Sequence, residues 1–438
     1  MVLPVLALCL AAAPPAASAF PFPATVTKLP NGLTVARVPA SSPGLAAYYS
    51  VVRTGSRNEV EAGLTGFAHF FEHVMFKGTK AWPEGSRGNL LGSLGFSENA
   101  YTSDDVTVYH VSGPTSSLEK LIELEADRFL NLDFSEETFQ TEAKAVLGEY
   151  HKNAASPGLK IEETLNAAAF AKHTYRHTTL GFYEDIKAMP TRYAYSKEFF
   201  KRWYTPDNVI VFVVGDFDDA KVMEWMQKYY GPWKGTAAKV VIPQESAVKG
   251  KDVKLEWDKP TLPRAYQAWI TPAASLTAKD AAVAEVLGEY LVGETSPTFK
   301  SLVLEQQLVE HLGADSSPHR DPALFTLAAT LKAEKDRDAV NAALTAAVKE
   351  LQAGKVDAAR VEAIRSHSRY ALLMGLETPD QIADHLAYMA GVLGSPQAAA
   401  TFQQQLSQVE PKDLVAYAKK HLTAARRNTL AFSAGAAK

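Results

Sequence analysis

The sequence predicts an α+β protein of two similar, duplicated domains, each a mainly antiparallel sheet with helices packed on one face. Three observations carry this expectation. Strand-like segments open each half of the chain, and segments of helical periodicity follow them. Both halves close on one arrangement, "FFKRWYTPDNVIVFVVGDF" near 199–217 and "YAKKHLTAARRNTLAFSAG" near 417–435: helix, short turn, asparagine, apolar strand. The 438 residues leave room for two units of about 200 residues each.

In chain order, "VTKLPNGLTVARVPA" reads as strand, Asn31-Gly32 turn and strand. "LAAYYSVVRTGS" continues as strand up to Gly55, and helical periodicity then runs over 65–77, with Thr65 placed to cap it. "SENAYTSDDVTVYHVSG" alternates and is rich in Thr, Val and Tyr, so it is strand-like. Helices are expected over 116–130, 135–153 and 158–172, and "YTPDNVIVFVVGDFDD" reads as a turn into a buried strand. After "YYGPWKGTAAK" the pattern restarts with the strands "DVKLEWDK" and "AYQAWITPA", then helices. The expected boundaries are a leader over 1–19, a first domain over 20–235 and a second over 250–438.

Apolar residues make up 47% and charged residues 21%, the balance of a chain that buries a core rather than a disordered one. A net charge of −4, with both signs interspersed, offers no basic face to nucleic acid. The segment "VLPVLALCLAAAPPAASAF" ends in Ala17-Ser18-Ala19, the pattern of a secretory leader cleaved after Ala19, and implies export to the periplasm. Cys9, the one cysteine, lies in that leader, so the mature chain would carry no disulfide and would tolerate an oxidising compartment. No later apolar run reaches ~18 residues, so no membrane span is expected after cleavage.

The chemistry concentrates in "FAHFFEH". His69 and His73 are four apart, one helical turn, so both imidazoles can reach a single metal ion. Glu72 lies beside that face, able to reach a water on the metal without being a ligand. The bland alternative is a satisfied polar patch on a buried helix. Two histidines alone would hold a cation poorly, because a catalytic zinc takes three protein ligands and keeps one position open. The helix expected from 135 offers Glu142 and Glu149, seven apart and so on one face; unaided, such a pair reads as solvent-facing.

"GLTGFAHFFEHVMFKGT" resembles the signature of the pitrilysin/insulinase family of inverzincin metallopeptidases. "SENAYTSDDVTVY", "TTLGFYEDIKAM" and "YTPDNVIVFVVGDF" resemble further landmarks of that family. The likeness covers at least 25–220, with a looser fit beyond. It implies one zinc ion per chain held by His69, His73 and a glutamate about 76 residues after the second histidine, which is Glu149. It implies Glu72 as general base, Glu142 as a supporting carboxylate, and a substrate-binding edge strand centred on Asn99, Ala100 and Tyr101. The expected activity is endopeptidase cleavage of unfolded peptides or small polypeptides.

The family's second unit normally contributes an Arg and a Tyr seven apart. The matching stretch here is "LEQQLVEH", which has Leu304 and His311 at those places. The resemblance therefore implies a zinc subunit that works with a homologous subunit carrying the Arg/Tyr pair, or failing that a homodimer. Two other functions compete: a non-catalytic binding or assembly subunit with a vestigial zinc site, and a different zinc hydrolase on the same scaffold. The remaining histidines show no ligand spacing, and "SPHRDP" at 317–322 reads only as a loop.

Overall fold

Two sheets organise the computed structural model, which describes residues 20–245 and 249–434. The leader expected over 1–19, Cys9 included, lies outside the described residues. Sheet 1 has the strand order β1-β2-β6-β3-β5-β4, from β1 (Thr25–Lys28), β2 (Thr34–Pro39), β3 (Leu45–Val52), β4 (Ser97–Thr102), β5 (Thr107–Pro114) and β6 (Val209–Gly215). Sheet 2 has the order β7-β11-β8-β10-β9, from β7 (Asp252–Trp257), β8 (Arg264–Thr271), β9 (Val309–Asp315), β10 (Ala323–Leu331) and β11 (Asn428–Ala434).

The internal echo of the sequence is an echo of topology. In each sheet the last strand of the half inserts between the first two strands. β6 runs parallel to β2 and antiparallel to β3; β11 runs parallel to β7 and antiparallel to β8. β1 is an extra strand on sheet 1, paired to β2 through the turn where Gly32 takes φ 103°. That turn is where Asn31-Gly32 was expected.

Helices fill the same intervals in both halves. In the first, α1 (Phe67–Val74) and α2 (Ser86–Ser93) precede β4. α3 (Leu118–Asn131), α4 (Glu136–Ala154), α5 (Pro157–Ala169), α6 (Tyr183–Ala188) and α7 (Tyr193–Trp203) precede β6, and α8 (Asp219–Tyr230) follows it. In the second, α9 (Asp280–Val292) and α10 (Pro297–Phe299, continued by a π-helical turn at Lys300–Glu305) precede β9. α11 (Arg337–Gln352), α12 (Ala358–Met374), α13 (Pro379–Leu393), α14 (Ala398–Ser407) and α15 (Pro411–His421) precede β11. No described helix is long and apolar enough to cross a membrane.

Each half packs its own helices on one face of its sheet, as expected. In sheet 1, Val35, Tyr48, Tyr109 and Val211 meet Phe70, Ile122, Val146 and Phe199 of α1, α3, α4 and α7. The opposite faces are covered too, by an exchange the sequence did not announce. α13 lays Ile382, Leu386 and Ala390 in the cluster that holds Tyr49, Val51 and Phe212 of sheet 1. α5 lays Ile161 and Leu165 against Ala268, Leu430 and Phe432 of sheet 2. α5 and α13 stand at matching places in their halves, so the exchange is reciprocal.

The strand-like segment "SENAYTSDDVTVYHVSG" forms the β4–β5 hairpin, turned at Ser103, whose N–H donates to Val106 O at 2.8 Å. One local expectation needs correction. Thr65 does not cap α1. Its hydroxyl donates to Asp185 Oδ2 at 2.7 Å and accepts from Phe182 N–H, while Gly66 at φ 91° begins the helix.

The tight seat of α13 gives a test. A Cβ on Gly391 would stand 2.3 Å from Val106 Cγ1 and 2.9 Å from Val51 Cγ1, whereas one on Gly148 of α4 would meet nothing within 4 Å. Overpacking typically costs about 1–3 kcal/mol, more than the ~1 kcal/mol that alanine gains over glycine in a helix. Gly391→Ala is therefore expected to lower the urea midpoint and Gly148→Ala to raise it. The reverse order would contradict this packing.

Candidate metal centre

The site begins with what holds α1. Phe67, Phe70, Phe71 and Val74 are buried, and this apolar stripe fixes which way the polar face looks. Phe71 stacks on Phe199 of α7 with ring centroids 5.4 Å apart, and Phe70 meets Phe139 of α4 edge-on at 5.0 Å. The second contact sets α1 against α4. α4 starts at Ser135, which caps Thr138 N–H at 3.1 Å, and buries Phe139, Ala143, Val146 and Tyr150.

A glutamate absent from the sequence reading supports the helix start. Glu59 is buried, and its carboxylate accepts from Gly66 N–H at 2.8 Å and Ala68 N–H at 2.7 Å. These are the orphan donors of the first turn, where helix partial charge also favours an anion. Burial pushes the Glu59 carboxyl up to about 8, against the pull of those N–H groups. Gly66 and Gly181, both at positive φ, allow the loops at 65–66 and 180–181 to touch. A Cβ on Gly66 would lie 2.6 Å from Leu180 O, and one on Gly181 2.6 Å from Gly66 N.

With α1 and α4 so placed, His69, His73 and Glu149 bring ligand atoms to within 4.8 Å of one another. Glu149 Oε2 stands 3.5 Å from His69 Nε2 and 3.5 Å from His73 Nε2. That is too long for a direct charge-assisted hydrogen bond. It matches two donors sharing a tetrahedral zinc, which at about 2.0–2.1 Å from the metal stand roughly 3.3–3.5 Å apart. Burial, then the neighbouring His73, lowers the His69 imidazole to about 4, so it is neutral with a free lone pair at neutral pH. Two imidazoles and one carboxylate form a donor set suited to a catalytic zinc. The residues fit the ion.

Around them, Glu142 Oε2 faces His73 Nδ1 at 3.8 Å, beyond hydrogen-bond reach, and Glu142 Oε1 accepts from Lys77 Nζ at 2.7 Å. The Glu142 carboxylate holds His73 above its ordinary range against the effect of burial. Burial alone would raise Glu142; His73 and Lys77 outweigh it and hold it low. Lys77 went unnoticed in the sequence, although its spacing of four from His73 was a signal. Glu72 is half-buried, and burial raises its carboxyl above the usual range while Thr102 and His73 pull the other way.

His69, Glu72 and Glu149 line a cleft of about 430 Å³ with Tyr101 and Thr102 of β4. β4 is the last strand of sheet 1, paired only with β5, so its outer edge is free among the described residues. Along it Asn99 is exposed, Ala100 buried and Tyr101 half-buried. Leu304 lies in the π-helical turn and His311 on β9, both exposed.

An inverted H-x-x-E-H helix facing a glutamate helix, beside a free strand edge, is the arrangement of a metallopeptidase-type centre. Residues 42–181 match the model described as insulinase (peptidase family M16), and residues 193–367 match the peptidase M16 inactive domain. The chain belongs to the M16 family. It is 28% identical over 441 residues to the zinc protease PqqE of Helicobacter pylori, spanning 97% of this chain and 96% of that one. It is 30% identical over 312 residues to the mitochondrial-processing peptidase subunit beta of Blastocladiella emersonii, 68% of this chain and 65% of the relative. The crystal structure of a protease from Helicobacter pylori superposes with a TM-score of 0.86 at 25% identity, covering 94% of this chain and all of that one (100%).

The two glutamates of α4 are expected to separate on metal titration. Glu149→Gln removes an anionic donor and should lose most of the zinc. Glu142→Gln keeps all three ligands, disturbs only the carboxylate shared by His73 and Lys77, and should cost ~10–100-fold in affinity or activity. Equal loss from both, or a larger loss from Glu142→Gln, would reverse their assignments.

Proposed function

We propose that the chain is a zinc-dependent endopeptidase acting on unfolded peptides or small polypeptides, in company with a homologous subunit. The observation that carries this reading is the convergence of His69, His73 and Glu149, with Glu72 lining the same cleft as His69 and Glu149. Zinc, when bound, supplies a Lewis acid that makes water a nucleophile near neutral pH. Glu72 takes the proton of the attacking water and returns it to the leaving amine. Glu142 orients His73, and with it the ring's second nitrogen. The free edge of β4, with Asn99, Ala100 and Tyr101, binds the peptide backbone as an added strand, which gives affinity with weak sequence preference. A leader cleaved after Ala19 would place the enzyme in the periplasm.

The match of residues 193–367 to an inactive domain favours a second reading, that of a non-catalytic subunit. That match lies wholly outside 69–149, where the four residues of the centre are intact. Glu72→Gln separates the readings. It should keep zinc near one per chain and lower peptide cleavage by ~10²–10⁴-fold. Loss of zinc with the fold intact would make Glu72 a ligand, and an inactive wild type would support the non-catalytic reading.

The partner follows from what the second half lacks. Leu304 has no hydrogen-bond donor on its side chain, and a missing oxyanion donor typically costs ~10²–10³-fold in rate. The relative from Blastocladiella emersonii is itself named as a subunit. The purified chain alone is expected to be weak, and a homologous subunit bearing the Arg/Tyr pair to restore activity. Sedimentation combined with a peptide assay checks this; full activity from the chain alone would remove the need for a partner.

A further inference from the structure

The segment 317–322, which read only as a loop, lies at the tip of the β9–β10 hairpin and reaches into the first half. It meets the tip of the β4–β5 hairpin, its topological counterpart. His319 Nε2 lies 3.4 Å from Asp104 Oδ2, and the Arg320 N–H donates to Asp105 Oδ2 at 3.0 Å. Asp321 Oδ2 takes Arg57 Nε at 2.5 Å and His173 Nε2 at 3.1 Å. His173 Nδ1 accepts from Tyr175 N–H at 3.0 Å, so its proton sits on Nε2 and points at Asp321. The network closes on itself, because Tyr175 OH donates to Asp105 Oδ1 at 2.7 Å.

These partners are not a solvated rim. Asp105 is 1% exposed and His173 2% exposed, where ion pairs are screened little by salt. Against burial, His173 and Arg57 hold the Asp321 carboxyl down at about 2. Burial pulls His319 down, but Asp104 pushes it up to about 9, so the pair is charged at neutral pH. Asp104 and Asp105 are separated only by Ser103 from Thr102, which lines the cleft with Tyr101. β4 has a ladder on one side only, so an anchor at its turn adds a restraint against displacement from the cleft to those of β5 and of the Glu98–Arg87 pair.

We infer that His319 and Asp321 are positioning residues: the metal-free half pins the turn of β4 and so holds the substrate-binding edge in place beside His69, Glu72 and Glu149. This rests on the endopeptidase reading of the cleft. Neither side chain is placed among the groups that touch substrate; they act through Asp104, Asp105 and Arg57.

His319→Ala and the milder Asp321→Asn test it in the zinc-loaded full chain, with the partner subunit present where activity needs it. Zinc stoichiometry and kcat toward a fluorogenic peptide should stay near wild type, while KM rises about tenfold, the pattern of lost binding rather than lost chemistry. Amide exchange over 97–106 should quicken by a similar factor, with α1 and α4 unchanged, and Asp321→Glu should recover part of both effects. Unchanged KM together with unchanged exchange over 97–106 in both variants would overturn the inference. So would a uniform rise in exchange across sheet 1, which would make the contact general scaffolding. A wild type that cleaves no peptide would overturn the endopeptidase reading instead, and the exchange measurement would then decide the anchoring alone.

Discussion

Both sheets carry apolar residues on both faces, and one face of each is covered by a helix from the other half. The exchange of α5 and α13 is the constraint on which the rest depends. Val35 and Val211 look toward the first half's own helices, while Tyr49, Val51 and Phe212 look the other way and would meet water without α13. Each large aliphatic side chain fully buried is worth about 1.5–3 kcal/mol, as for Ile161 and Leu165, whereas desolvation offsets most of what a buried ion pair gains. Apolar burial joins the halves. The ionic contacts between the hairpin tips then choose one geometry within that association.

The candidate metal centre inherits its geometry from this arrangement. α1 is only eight residues long, too short to be stable by itself, and is held by its phenylalanines and by Glu59 at its first turn. β4 is held from within its own half by Glu98, which pairs with Arg87 Nη1 at 2.6 Å. Arg87 in turn shares the fully buried Glu125 with Arg128, whose Nη2 lies 2.5 Å from Glu125 Oε2. Breaking one member of such a buried set strands a charge, which costs more than the set ever gains. Supports of this kind fix position more than they add stability.

What the sequence revealed follows from the range of the interactions. The pairing of His69 with His73 is a spacing within one helix turn, so it is readable directly. The addition of Glu149 is not: it lies 76 residues after His73, on a helix that meets α1 through Phe70 and Phe139, and only a family resemblance pointed there. Strand and helix types were readable because apolar alternation and periodicity are local. The β4–β5 turn lies at Ser103-Asp104-Asp105, residue types that favour turns, but the strand-like alternation on either side masked it. Glu59 and Asp321 were invisible for another reason. Each acts on backbone or charge that comes near only after the chain has folded, and no periodic pattern records that.

The second half shows what the duplication made of the same positions. α9 stands where α1 stands, directly after the second strand of the conserved order, and α12 stands where α4 stands. α9 buries Ala282, Val283, Val286 and Leu287 and carries no histidine; α12 buries only Val361 and Ile364. A buried polar group left without a partner costs roughly 1–3 kcal/mol, so a helix pair that holds imidazoles and carboxylates is stable only with an elaborate set of partners. The first half accepts that cost and needs Lys77, Glu142 and Glu59 to meet it. The second half is free of it, and its helices pack as ordinary core. Its polar residues are spent instead at the tip of the β9–β10 hairpin, on the turn of the strand beside the metal cleft. A copy without ligands is thus free to support the other.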